Sequence, residues 1–126
     1  MRGPLRAVAV AVALGVTACA PPACSDAEDR AYLRDVDLVA QQEGRLAADA
    51  ADRLARAGAV AIPFIETGLY SAEAPGRRRI VRLLAAIGSA EAGPILAHLA
   101  RRDPDPEVRA LAQAAAGQLG KPSEAK

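Results

Sequence analysis

Three glycines punctuate the chain at nearly even intervals: Gly58, Gly88 and Gly120. Each closes a stretch whose apolar residues keep helical spacing. Ile80, Leu83, Leu84 and Ile87 fall at i, i+3, i+4 and i+7, one face of a helix. Leu46, Ala50, Leu54 and Ala57 form a weaker stripe, and Ala112, Ala115, Ala116 and Leu119 a third. A glycine just past each stripe suits the left-handed cap that stops a helix. The stretches also align with one another. Ile62-Pro63-Phe64-Ile65 matches Gly93-Pro94-Ile95-Leu96 at an offset of 31, and Arg77, Ile80, Leu84 and Ile87 match Arg109, Ala112, Ala116 and Leu119 at 32. A loop absorbs the one-residue difference. Self-similarity at this period predicts helical hairpins that stack, because one hairpin cannot bury its own apolar face.

Composition agrees. Of 126 residues 32 are Ala, and Arg outnumbers Lys 14 to 2. Both Ala and Arg are strong helix formers. The aromatics are Tyr32, Phe64 and Tyr70 alone. Past residue 20 no short runs rich in β-branched and aromatic residues occur, which excludes an all-β domain. The fold class expected is all-α, in one domain.

Local signals mark the turns. Asp103-Pro104-Asp105-Pro106-Glu107 offers Asp105 as N-cap, Pro106 at the first helical position and Glu107 in the first turn. Ser89 suits an N-cap after Gly88. Pro63 and Pro94 imply either a kink or a delayed helix start. The string Pro94-Ile95-Leu96, then Asp103 to Arg109, Ala112, Ala115-Ala116 and Leu119-Gly120 resembles the short bacterial HEAT-like repeat of phycobilisome-lyase-like proteins and many adaptors. The second unit keeps Pro63, Arg77, Leu84 and Gly88 but replaces the Asp-Pro-Asp turn by residues 71–76. The first, roughly 26–58, keeps only the terminal helix pattern and Gly58. The resemblance implies a short right-handed stack of about three helical hairpins over residues 26–120, with 121–126 as a flexible tail. It also implies that Arg77 and Arg109 bridge to the acidic turn of a neighbouring unit, with Asp105 as a cap.

The N-terminus reads as an address. Arg2 and Arg6 precede a wholly apolar run from Ala7 to Val16, broken only by the small Gly15, and small residues follow. That is the layout of an export signal. The run from Ala7 to Ala20 covers 14 positions before Pro21 and Pro22, short of the roughly twenty a membrane span needs. Val16-Thr17-Ala18-Cys19 resembles the lipobox of bacterial lipoproteins. The resemblance implies a signal peptide over 1–18, diacylglycerol on the Cys19 thiol and a lipidated tether over 19–25. Ala20 after the Cys implies delivery to an outer membrane facing the periplasm, in a cell that has one. Cleavage after Ala18 without lipid is the competing reading. Where Cys19 carries lipid, Cys24 is a leftover thiol, inert or available to another chain; where it does not, Cys19 and Cys24 are candidates for a short disulfide.

Charge is unevenly spread. Residues 19–58 carry eight acids against five Arg, a net of −3, whereas residues 77–102 carry six Arg and only Glu91, a net of +5. Arg77, Arg78, Arg79 and Arg82 are the candidate partner-binding residues. Three cations in a first helical turn oppose the helix dipole. Two readings are open: a basic patch for an acidic partner or anionic lipid head groups, or a solvated face partly paired with the acidic first hairpin. Nucleic acid is a poor partner, since no aromatics interleave with the arginines. His98 is the single His, read as partly exposed on a helix. With two Cys and one His, no metal site, no cofactor and no catalytic residue is expected. The chain thus reads as a non-catalytic, membrane-anchored interaction module. A lyase-like cofactor-assembly factor and a structural envelope lipoprotein are the alternatives.

Overall fold

The computed structural model describes residues 26–119, and every element among them is helical. The chain divides into two compact units, residues 1–31 and 32–126; of the first, residues 26–31 are described and all are helical. Helical residues 26–41 form α1. Then come α2 (Arg45–Ala57), α3 (Ile62–Leu69), α4 (Ala74–Ile87), α5 (Gly93–Arg102) and α6 (Pro106–Leu119). The helices pair as three hairpins: α1 with α2, α3 with α4, α5 with α6. Second helices pack in chain order, α2 on α4 and α4 on α6. Of the first helices, α1 meets α3, with the Tyr32 ring 5.2 Å from the Phe64 ring. This is the expected HEAT-like stack of three layers, and the first layer is a complete hairpin.

The prolines give a delayed start and no kink. A single 3-10 turn, Gly58–Ala61, precedes α3, and another, Ala90–Ala92, precedes α5. Pro63 and Pro94 then sit in the first helical turn, where their missing N–H costs nothing. The Ser89 hydroxyl caps the second of these turns, accepting from the Glu91 N–H at 3.2 Å. Gly88 is left-handed as expected, with φ 69° and ψ 16°. Gly58 differs: its φ is 70° but its ψ is −139°. It does not close a left-handed cap but reverses the chain straight into the 3-10 turn. Gly120, Cys19, Cys24, the expected signal peptide over 1–18 and the tail 121–126 lie outside the described residues.

The core follows the stripes with one correction. Ile80, Leu83 and Leu84 are buried and Ile87 packs against them. On α2, however, Leu46 is 63% exposed and Ala47 is buried beside Ala50 and Leu54. The buried face is centred one residue further on, which leaves Leu46 at its edge on the open first turn. Leu54, Ile65, Ile80, Leu84, Leu96 and Val108 are fully enclosed, each worth about 1.5–3 kcal/mol of transfer free energy. Buried alanines at 40, 47, 50, 112 and 115 bring the helices close. No described helix is long and apolar enough to cross a membrane.

Candidate functional site

The start of α4 is where the layers are joined, and it holds the arginines singled out above. Glu73 precedes the helix with an extended backbone and no side-chain cap, and Pro75 stiffens the first turn. Gly76 then passes so close to the Ala40 carbonyl of α1 that any Cβ there would collide with it. The backbone contact fixes α4 against the end of α1. The three arginines that follow radiate from this point.

Arg77 reaches the third layer. Its Nε donates to Asp103 Oδ2 at 2.8 Å and its Nη2 to Asp103 Oδ1 at 3.1 Å, while Nη1 donates to the Ala72 carbonyl at 2.9 Å. Asp103 stands in the α5–α6 turn with its side chain 3% exposed, against 18% for Arg77. It also accepts from the Asp105 N–H at 2.9 Å. A buried carboxylate is tolerable only when its oxygens are filled in this way. Arg78 grips the same turn further out, donating to Asp105 Oδ2 at 3.2 Å and to Glu107 Oε2 at 3.3 Å. The same Asp105 oxygen caps α6 by accepting from the Val108 N–H at 2.9 Å. Arg79 turns the other way, to the first layer. Its Nε and Nη2 donate to the Val39 and Ala40 carbonyls at 2.7 and 3.1 Å, buried carbonyls in the last turn of α1, where a helix leaves its C=O groups without intrahelical partners.

These contacts account for the unfavourable first turn of α4. The dipole penalty is offset because each guanidinium serves acceptors in an adjacent layer. Arg77 bridges to the acidic turn, as the repeat pattern implied, and Arg78 joins it. Of the four arginines read as a patch, Arg77, Arg78 and Arg79 are half-buried and bonded within the chain, and Arg82 alone is exposed. Sequence reasoning missed three things here: the burial of Asp103, the close approach at Gly76, and Arg45, which stands 32 residues before Arg77 and is exposed. The Arg45 register was visible in the repeat; the other two arise only when layers meet.

Two grooves flank this junction. One, of about 520 Å³, runs between α2 and α4, floored by Ala47, Ala51 and Ala55 and edged by Glu43, Asp52 and Arg82. The other, of about 550 Å³, lies between α3 and α5, with Leu69 and Leu99 below Tyr70 and His98. Tyr70 is 84% exposed there and His98 is exposed on α5, as expected. Within the first layer, Arg53 donates to Asp35 at 2.7 and 3.0 Å; that hydrogen bond holds the guanidinium pKa above its ordinary value. No cluster of three or more His, Cys, Asp or Glu able to hold a metal occurs among the described residues.

The HEAT repeats family matches residues 62–126, just over half of the chain. The chain belongs to the HEAT repeats family. The match covers the second and third hairpins of this HEAT protein, the two joined by Arg77 and Asp103. No match was found among curated proteins or among solved structures.

Proposed function

We propose that this HEAT protein is an exported adaptor, anchored by lipid at Cys19, that binds an acidic protein partner and performs no catalysis. HEAT repeats suggest a helical interaction scaffold, and the family is typically non-catalytic. One observation carries the reading: the three second helices stack side by side, leaving an alanine-floored groove beside the exposed Arg82. Small side chains on its floor admit a partner backbone closely, and arginine forks onto carboxylates. The docking residue of the original four is then Arg82, with Arg77, Arg78 and Arg79 holding the platform that presents it. The signal over 1–18 and the lipobox-like Val16 to Cys19 support export and anchoring in the cell envelope, at the outer membrane where there is one. Two or more acyl chains would give stable attachment.

Intact mass of the mature protein tests the anchor. Acyl groups are expected on Cys19, and Cys19→Ala should move the protein into the soluble fraction. An unmodified Cys19 in a membrane-free protein sinks the anchored reading. For the partner, Arg82→Glu should abolish capture of a distinct envelope protein; unchanged capture removes that face from the argument.

A further inference from the structure

The groove between α3 and α5 holds the one aromatic side chain that folding does not use. Of the chain's three aromatics, Tyr32 and Phe64 meet ring to ring and both pack against the core, whereas Tyr70 is 84% exposed. A ring left in water beside an apolar surface calls for a reason, because aromatic side chains with a polar tip are what interfaces use as anchors. Tyr70 stands at the C-terminal end of α3, and Glu66, four residues before it on the same side of the helix, is exposed. Both line the cavity of about 550 Å³, with His98 of α5 and a floor of Leu69, Ile95 and Leu99. That volume lies in the range of ligand pockets, roughly 300–1,000 Å³.

The charges of the lining decide the sign of the ligand. Arg77 and Asp103 also line the cavity, but they satisfy each other. The Arg77 Nε and Nη2 donate to the Asp103 carboxylate and Nη1 to the Ala72 carbonyl, so each of its three nitrogens is engaged. The pair leaves no cation open to an acidic ligand. Glu66 is the other carboxylate of the lining, and no Lys or Arg lies within ion-pair distance of it among the described residues. The groove therefore presents one open negative charge beside an exposed ring and an aliphatic floor. A long basic side chain meets all three at once: its stem covers the apolar surface, its head bonds the carboxylate, and the face of the ring attracts it.

We propose that the α3–α5 groove is a docking site for a basic segment of a partner protein, in which a Lys or Arg side chain lies over Leu69, Ile95 and Leu99 with its charged head between the Glu66 carboxylate and the Tyr70 ring. The proposal goes beyond the adaptor reading and does not rest on it. The groove lies between first helices, Arg82 does not line it, and it selects the opposite charge.

The test is a titration of the full ¹³C-labelled chain at low salt with the peptide acetyl-Arg-Ala-Arg-Ala-Arg-amide, followed by the aromatic C–H resonances. The chain has one His and two Tyr, so His98 reports on the groove without ambiguity and Tyr32 serves as the internal control. The His98 and Tyr70 signals should move together while the Tyr32 signal stays still. The same peptide with citrulline for arginine, equal in shape and uncharged, should bind about fivefold more weakly. Glu66→Gln should weaken binding of the arginine peptide by about fivefold, the span of one exposed ion pair, and Tyr70→Leu by about threefold, the loss of the ring's attraction. Both side chains are exposed, and the melting midpoint of each variant is checked in parallel. Four results overturn the proposal: no His98 or Tyr70 shift at millimolar peptide, equal affinity for the citrulline peptide, unchanged affinity in Glu66→Gln, or tighter binding of acetyl-Asp-Ala-Asp-Ala-Asp-amide to the same groove. Capture unaffected by Arg82→Glu, with the His98 shift intact, removes the adaptor's face and leaves this groove standing; the reverse pattern does the opposite.

Discussion

The two junctions between layers are built differently. Between the second and third layers a buried carboxylate, Asp103, fills the fork of Arg77, with Arg78 closing the rim. Between the first and second, no acid occupies the equivalent place. Arg79 instead donates to the backbone carbonyls of Val39 and Ala40, and Gly76 lets α4 touch the end of α1. One junction is specified by a buried ion pair and the other by backbone acceptors at a helix C-terminus, where cations are favoured anyway, with the exposed Glu43 carboxylate 3.7 Å from Arg79. The lesson is that a stack can keep its geometry while changing the chemistry of its joints, provided the buried acceptors are filled. The family match covers the second and third layers, the two that the ion pair joins.

The largest effect should come from breaking the ion-pair joint on its exposed side. Arg77→Ala leaves the Asp103 carboxylate buried without its main partner, and should cost about 3 kcal/mol in denaturant unfolding, at the lower end for buried pairs because Arg77 admits some water. A loss no greater than that of Arg79→Ala would mean the two joints are equivalent. Next is Gly76→Ala. Alanine is the better helix former by about 1 kcal/mol, yet the Cβ would meet a backbone oxygen that cannot give way, so a net loss of about 2 kcal/mol is expected. Stabilisation instead would show that α1 is free to shift. Arg79→Ala removes a charged donor from two carbonyls that water can partly replace, and should cost about 1.5 kcal/mol. In amide exchange, that variant should release α1 and α2 ahead of α5 and α6, because stability in a repeat stack is a sum over neighbouring layers. At the bottom stands Arg53→Ala. Its guanidinium is half exposed although Asp35 is 13% exposed, so the melting midpoint should fall less than in Arg79→Ala.

Much of this was legible in the residues. Pro106 after Asp105, Ser89 after Gly88, and the Ile80–Leu83–Leu84 stripe are local signals, and each formed the element it announced. The prolines at 63 and 94 could not choose between a kink and a late start until the 3-10 turns before them were seen. Leu46 read as core because spacing alone cannot tell the centre of a buried face from its edge. The arginine cluster was the hardest. A run of like charges looks the same in sequence whether it faces solvent or clamps two neighbours; only the positions of Asp103, Val39 and Ala40 in space separate the two.

What the chain's order of residues settled unaided was the helical period, the caps at Gly88, Ser89 and Asp105 and the count of hairpins, because those depend on interactions within a few residues or on the repeat itself. What the packed molecule alone decided was the partner of each arginine and the exposure of each charge. Those depend on which layer lies next to which, at separations of 26 to 40 residues, where propensity carries no information and burial does.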